Sequence, residues 1–259
     1  MGTGIKFGIT AETGNNIVTD GLVGYWDAAY KKSYVSGSIN TYNLASGSLT
    51  PTGSMVNSPD FIPLGQTTAS CWDFDGVDDR IDCGPASVIN GILPNDATGS
   101  LSCEVWILSE VKSYAYLPWI KNDWFGYGGV YHGFELSGNV AANGWLYITW
   151  KQGDGSTIKG YGAHMLSGAD VGIWYHIVGT YDGTDSKIYA NSTLVNTTAW
   201  GGGSGSISYR PSDIVIGGND FGQSSFWNGC LANAKVYNRA LSAGDVLQNY
   251  NAQKDRFGY

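Results

Sequence analysis

Charge is scarce in this chain of 259 residues: 14% are Asp, Glu, Lys or Arg, and the glutamates are only Glu12, Glu104, Glu110 and Glu135. Retaining glycoside hydrolysis needs two carboxyls about 5–5.5 Å apart, which a strand supplies as a Glu-x-Asp-x-(x)-Glu pattern. The nearest glutamate pair, Glu104 and Glu110, has no Asp between its members. The three histidines, 132, 164 and 176, have no partner in sequence, and no Gly-x-Ser-x-Gly elbow, phosphate loop or His-Glu-x-x-His occurs. No catalytic residue is therefore expected. No apolar run approaches the ~18 residues of a membrane span. The net charge of −8 disfavours nucleic acid and anionic membranes as partners. The N-terminus, Met1-Gly-Thr-Gly-Ile-Lys-Phe-Gly, lacks a charged segment followed by an apolar one, so no signal peptide is expected. Cysteines 71, 83, 103 and 230 are not at zinc spacing, and four mostly buried free thiols are expected, with a disulfide as the alternative.

What the chain has is turns and rings: 38 glycines, 17 tyrosines and 10 tryptophans. That mixture favours strands over helices. From Cys71 to Gly84, Trp72 and Phe74 alternate with Asp73 and Asp75, and Ile81 and Cys83 alternate with Arg80 and Asp82. Period 2 around Gly76-Val77-Asp78-Asp79 predicts a β-hairpin with Phe74 opposite Ile81 and Trp72 opposite Cys83.

Residues 1–20 are poor in core residues and read as a flexible tail or a docking arm. Gly21 to Asp27 is the first strand, and only a short strand near Met55 is expected before Cys71. Leu101, Cys103, Val105 and Ile107 mark the core face of a long strand. Pro118 to His132 reads as an aromatic loop. Strands follow at 134–136, 145–151 and 157–164, and a meander at 174–181, 186–190 and 193–198. Asp182-Gly183 and Asn191-Ser192 mark its turns. Ile214–Ile216 is a short buried strand. Cys230, Ala232, Ala234 and Val236 form an inward face on the last strand. A helix over about 242–253 begins at Ser242 with Asp245 three residues on, a capping box, and shows Val246, Leu247 and Tyr250 as its apolar stripe.

Trp72-Asp-Phe-Asp-Gly-Val-Asp-Asp79 resembles the "F-D-G-x-D-D-Y" segment of laminin-G-like, concanavalin-A-type jelly rolls. Leu101–Trp106, Trp174–Gly183 with Lys187–Asn191, and Ala234–Ser242 resemble the same family in the right order. The resemblance implies an all-β, two-sheet antiparallel jelly-roll sandwich over residues 21–259, with the first strand beside the last. The ending "Q-N-Y-N-x-x-K-x-R-F-G-(aromatic)" is similar to the C-termini of lectin-like virion proteins of tailed phages, notably cyanophages. This implies synthesis in a host cytoplasm, display on a virion surface and homo-oligomerisation on the particle.

Two ligand classes follow. Calcium wants six to eight oxygens, and Asp27, Asp73, Asp75, Asp78 and Asp79 offer carboxylates. The acidic pair that many relatives carry entering the last strand is replaced here by Ala232 and Asn233. Sugar sites combine aromatic faces with polar side chains. Trp145, Tyr147, Thr149 and Lys151 share one face of a strand; Tyr131 and Glu135 lie on the preceding strand and Tyr161 on the next. Trp119, Trp124, Phe125 and Tyr127 would rim that face. The expected function is a non-enzymatic lectin-like virion protein touching host-surface polysaccharide. The alternatives are a decoration, neck or tail element that contacts only other virion proteins, through residues 1–20, and a polysaccharide-active enzyme.

Overall fold

The computed structural model describes residues 16–45, 52–65, 68–83, 100–113, 117–122, 132–154, 158–198, 214–219 and 225–259. The described strands are β1 (Leu22–Asp27), β2 (Asn40–Tyr42), β3 (Thr52–Val56), β4 (Asp60–Ile62), β5 (Cys71–Asp75), β6 (Arg80–Cys83), β7 (Leu101–Ser109) and β8 (Leu117–Asn122). They continue as β9 (His132–Val140), β10 (Trp145–Asp154), β11 (Ile158–Ser167), β12 (Trp174–Tyr181), β13 (Ser186–Ala190), β14 (Thr193–Thr198), β15 (Ile214–Ile216) and β16 (Asn228–Tyr237). Helix α1 (Ala243–Gln253) and a 3₁₀ turn (Lys254–Phe257) follow.

The first sheet has the order β14-β13-β12-β7-β16-β5-β4, with β1 also paired to β16; the second has β11-β10-β9-β8-β15-β6-β3-β2. All these pairings are antiparallel. The fold is the expected jelly-roll sandwich, with the first strand beside the last. The interior between the sheets is filled by alternate residues of both. These include Val105 and Ile107 of β7, Ile148 and Trp150 of β10, and Trp119 packed edge-on to Trp227 at 5.7 Å. The meander turns at Asn191 and Ser192, both with φ > 0 (47° and 66°), as the type I′ hairpin turn requires.

Five expectations change. Between β1 and Cys71 the strand expected near Met55 is β3, and β2 and β4 are strands as well. Cys71–Gly84 is not a hairpin: β5 pairs with β4 and β16 in the first sheet, while β6 pairs with β3 and β15 in the second. Trp72, Phe74, Ile81 and Cys83 still meet in the core, but from opposite layers. The turn between them, held by Asp75 Oδ1 accepting from the Val77 and Asp78 amides, carries the chain across the sandwich. Part of the expected aromatic loop is strand β8. Ala232 and Cys230 do not share the inward face with Ala234 and Val236, because a bulge between Leu231 and Asn233 reverses the parity of β16. Ile17 and Val18, within the expected tail or arm, are buried, and the Val18 amide donates to Asn249 of α1 at 2.7 Å. Residues 1–15 lie outside the described residues.

Helix α1 has the expected capping box, but Leu247 is 48% exposed while Asn249 and Gln253 are buried. The reason is the surface beneath it. The helix covers the outer face of the first sheet, where Glu104, His176, Asn233 and Lys235 are buried. Lys235 Nζ donates to Glu104 (2.6 Å), Gln253 (2.8 Å) and Asn233 (3.1 Å), and Asn249 Nδ2 donates to Glu104 at 2.6 Å. Burial alone would push the Glu104 carboxyl up; Lys235, with His176 Nε2 3.1 Å away, holds it down at about 2. Alongside, Phe257 stacks on Trp106 with ring centroids 3.8 Å apart.

Candidate functional site

With α1 on the first sheet, the outward-pointing residues of the second sheet form the other face that the expected site residues occupy. Alternation builds it. Leu146, Ile148 and Trp150 enter the core, so Trp145, Tyr147, Thr149 and Lys151 of β10 point away from it. Register then sets a row across seven strands. Lys151 lies between Tyr161 and Glu135, Glu135 is opposite Lys121, Lys121 opposite Val215, Val215 opposite Asp82, and Asp82 opposite Ser54. The next rows place Thr149 beside Ser137 and Tyr147 beside Asn139.

The row is internally bonded. Lys151 Nζ lies 3.0 Å from Glu135 Oε1, which also accepts from Ser137 Oγ at 2.7 Å. Ser137 Oγ and Thr149 Oγ1 are 2.7 Å apart, and Lys121 Nζ donates to Asn219 Oδ1 at 2.8 Å. Burial would raise the Glu135 carboxyl, but Lys151 and Ser137 hold it below the usual range. Lys121, Ser137 and Thr149 are buried, whereas Trp145 and Tyr147 are half-buried. The result is a fixed polar floor of ammonium, carboxylate and hydroxyl groups with two partly open rings beside it.

Of the expected sugar contacts, Trp145, Tyr147 and Glu135 share this face, and Tyr161 takes the register position opposite Lys151. Trp119 does not rim it. A bulge between Pro118 and Ile120 leaves Trp119 without a register partner on β9, and its ring is fully buried against Trp227 and Gly138. Tyr131, Trp124 and Tyr127 lie outside the described residues. Lys121, Ser137 and Asn219 were missed, because only the register of β8 on β9 brings Lys121 to Glu135, and no strand pattern includes Asn219.

Among residues with described side chains, the carboxylates on this face are Glu135 and Asp82, three strand spacings apart through β8 and β15. At about 4.8 Å per strand that is roughly 14 Å. Both retaining and inverting pairs sit closer than that.

The five expected calcium ligands do not converge. Asp27 is not available: Arg256 grips both its oxygens at 2.7 and 3.0 Å, and the Tyr25 hydroxyl and Ala29 amide donate to it as well. Asp75, Asp78 and Asp79 hold carboxylate oxygens within 4.8 Å of one another, and Asp73 belongs to a different group, with Glu110 and Cys230. Asp75 and Asp79 also staple their own turn, since Asp79 Oδ2 accepts from the Asp75 amide at 3.1 Å.

Burial, opposed by the Asp75 amide and reinforced by Asp75 and Asp78, pushes the Asp79 carboxyl up to about 6 from its ordinary 3.8. A raised folded value means that Asp79 favours folding below about pH 4 and loses that contribution as pH rises through 6. Asp79→Asn is therefore expected to gain stability relative to the parent between pH 4 and above 6. Urea midpoints of both proteins in chelator check this; a flat or falling difference would contradict it.

A family model described as the concanavalin A-like lectin/glucanases superfamily matches residues 85–247. The chain belongs to that superfamily. No curated protein matches this laminin-G-like chain. Among solved structures, a Trypanosoma rangeli sialidase in complex with sialic acid is 14% identical with TM-score 0.60, over 92% of this chain and 34% of its own. The binding domain of Paraclostridial Mosquitocidal Protein 1 is 14% identical with TM-score 0.62, over 90% of this chain and 52% of its own. Domain 4 of AbnA, an extracellular arabinanase from Geobacillus stearothermophilus, in complex with arabinotriose, is 12% identical with TM-score 0.57, over 88% of this chain and 98% of its own. At these identities the likeness is one of fold. The chain spans about a third of the sialidase and half of the mosquitocidal domain. The lectin-like jelly roll is thus shared with portions of enzymes and with binding domains alike.

Proposed function

We propose that this domain is a non-enzymatic glycan-binding module whose site is the outer face of the second sheet. The observation that carries this reading is the Lys151–Glu135 ion pair, with Lys121 opposite Glu135 in the β8–β9 register, beside the half-buried rings of Trp145 and Tyr147. Sugar hydroxyls would find a fixed donor and acceptor in the partly exposed Lys151–Glu135 pair, and a ring's C–H face an aromatic one. The complex of AbnA domain 4 with arabinotriose supports the ligand class for this fold. The wide separation of Glu135 and Asp82 favours binding over hydrolysis.

We place the module on the surface of a tailed-phage virion as a homo-oligomer contacting host polysaccharide. That placement is supported by the similarity of its C-terminal residues 248–259 to phage lectin-like proteins. Residues 1–20 would attach it to other virion proteins, with Ile17 and Val18 as the buried root. An assembly element without a glycan ligand is the competing reading, and it predicts incorporation that depends on residues 1–15 with no polysaccharide binding.

The test is titration calorimetry of bacterial surface polysaccharides against the purified chain. Trp145→Ala with Tyr147→Ala is expected to weaken binding at least about tenfold, which corresponds to about 1.4 kcal/mol, with an unchanged circular dichroism spectrum. Unchanged affinity in the folded double variant would overturn the site, and absence of any binding would favour the assembly reading.

A further inference from the structure

A second group of side chains meets where β5, β16 and the end of β7 come together, on the outer side of the first sheet and away from the proposed glycan face. Cys230 is directly opposite Asp73 in the β5–β16 register. Cys71 precedes Asp73 by two residues and so shares its face. Glu110 follows the last residue of β7, Ser109, which pairs with Gly229. That pairing needs a close approach: Gly229 has φ 133°, and a Cβ there would stand 2.3 Å from the Leu108 carbonyl oxygen. The glycine therefore lets the Glu110 end of β7 close on Cys230.

The donor set is mixed. The Cys71 and Cys230 sulfurs lie 2.7 Å apart, and both residues are fully buried. Ligand atoms of Asp73, Glu110 and Cys230 all fall within 4.8 Å of one another. Asp73 Oδ1 is buried with no hydrogen-bond partner. Among the described residues neither Asp73 nor Glu110 forms an ion pair. Three groups that would repel one another once deprotonated thus converge, with the Cys71 sulfur against one of them and no ion-paired cation at either carboxylate among the described residues, which is the electrostatic demand that a bound cation meets.

We propose that Cys71, Asp73, Glu110 and Cys230 form a site for a thiolate-binding divalent cation of the zinc class. Calcium and magnesium take oxygen ligands, whereas two sulfurs with two carboxylates suit a tetrahedral zinc ion. Binding converts both thiols to thiolates, releases their two protons to solvent and forms the metal–sulfur bonds, with no change in oxidation state. With metal–sulfur bonds of about 2.3 Å the sulfurs would move apart to roughly 3.7 Å. Glu110 is exposed and Asp73 half-buried, so the ion enters from the carboxylate side and the thiols close the inner side. The four ligands come from three strands distant in sequence, which is why no short zinc spacing marks them.

The test uses the full chain, reduced, stripped with chelator and titrated with cobalt(II) as a spectroscopic probe. One equivalent is expected to produce a thiolate-to-cobalt charge-transfer band with tetrahedral visible bands, bleached by one equivalent of zinc. Zinc should raise the unfolding temperature where calcium does not. Cys71→Ser with Cys230→Ser should abolish the bands. Asp73→Asn and Glu110→Gln, at positions open enough to leave folding intact, should weaken zinc binding tenfold or more in metal-free proteins that still unfold cooperatively. Absence of cobalt–thiolate bands in the reduced protein would overturn the proposal, as would bands that survive the double cysteine variant. A chain that is two hydrogens lighter, with a Cys71–Cys230 linked peptide and no metal uptake after reduction, would also overturn it and assign the pair as a disulfide.

Discussion

Glu104→Ala is expected to cost about 3–5 kcal/mol of folding stability, because it removes one partner of a buried charge pair. Glu104 and Lys235 are both fully buried beneath α1, and their 2.6 Å contact is the centre of the network that docks the helix. The alanine leaves the Lys235 ammonium facing Asn233 and Gln253 without its Glu104 partner, and leaves Asn249 Nδ2 with only the Tyr237 hydroxyl as acceptor. Urea unfolding followed by tryptophan fluorescence measures the loss, and the 10 tryptophans, Trp106 among them under the helix, give the signal. Glu104→Leu combined with Lys235→Met should recover most of it, since an apolar pair of similar volume incurs no charge desolvation. A pH series supplies the sign. With its folded value at about 2 against an ordinary 4.5, Glu104 contributes stability above pH 4.5 that is lost as pH falls toward 2. The parent should therefore lose more stability than the Glu104→Leu/Lys235→Met protein between those values. A single-variant loss below about 1 kcal/mol, the scale of an exposed pair, would show that this pair is not charged in the fold.

Trp150→Ala is expected to cost a further class of about 3–5 kcal/mol, here from a cavity. Trp150 is fully buried on β10 and reaches across the sandwich to Gly179 of β12. A Cβ at position 179 would lie 2.5 Å from Trp150 Cδ2, so the glycine exists to admit the indole. Gly179→Ala alone should therefore destabilise by overpacking, about 1–3 kcal/mol. In the Trp150→Ala background the same change meets empty space and should be neutral or stabilising. A double-mutant cycle on thermal or urea unfolding reads this coupling; additive losses would mean that the two positions do not share the space.

Both predictions rest on residues whose facing was legible and whose neighbours were not. Period-2 alternation located the core-facing side of β7 and β10, and the turn dipeptides of the meander were visible as Asp182-Gly183 and Asn191-Ser192. The capping box at Ser242 was equally plain, because it involves only residues three apart. In the candidate glycan site, Trp145, Tyr147 and Lys151 were placed on one face by the same parity. Local patterns end there. The segment 71–84 has the alternation of a hairpin, yet its halves join different sheets, since pairing depends on β4, β16, β3 and β15, which lie far away in sequence.

Parity also fails wherever a bulge inserts one residue. Trp119 turns into the core at such a bulge, and Cys230 turns away from it at another. Asp27 looked like a loose carboxylate until the C-terminal turn brought Arg256 onto it, 229 residues later. Leu247 was assigned to the buried stripe of α1, but the helix turns Asn249 and Gln253 inward instead, because the sheet beneath presents Glu104 and Lys235. The order of residues by itself determined which side chains are dry, through alternation and turn chemistry that act within a few positions. The tertiary structure decided which sheet each strand joins, which outer face the helix covers and which polar groups therefore meet, because hydrogen-bonded register and the pairing of buried charges are set between segments that only folding brings together.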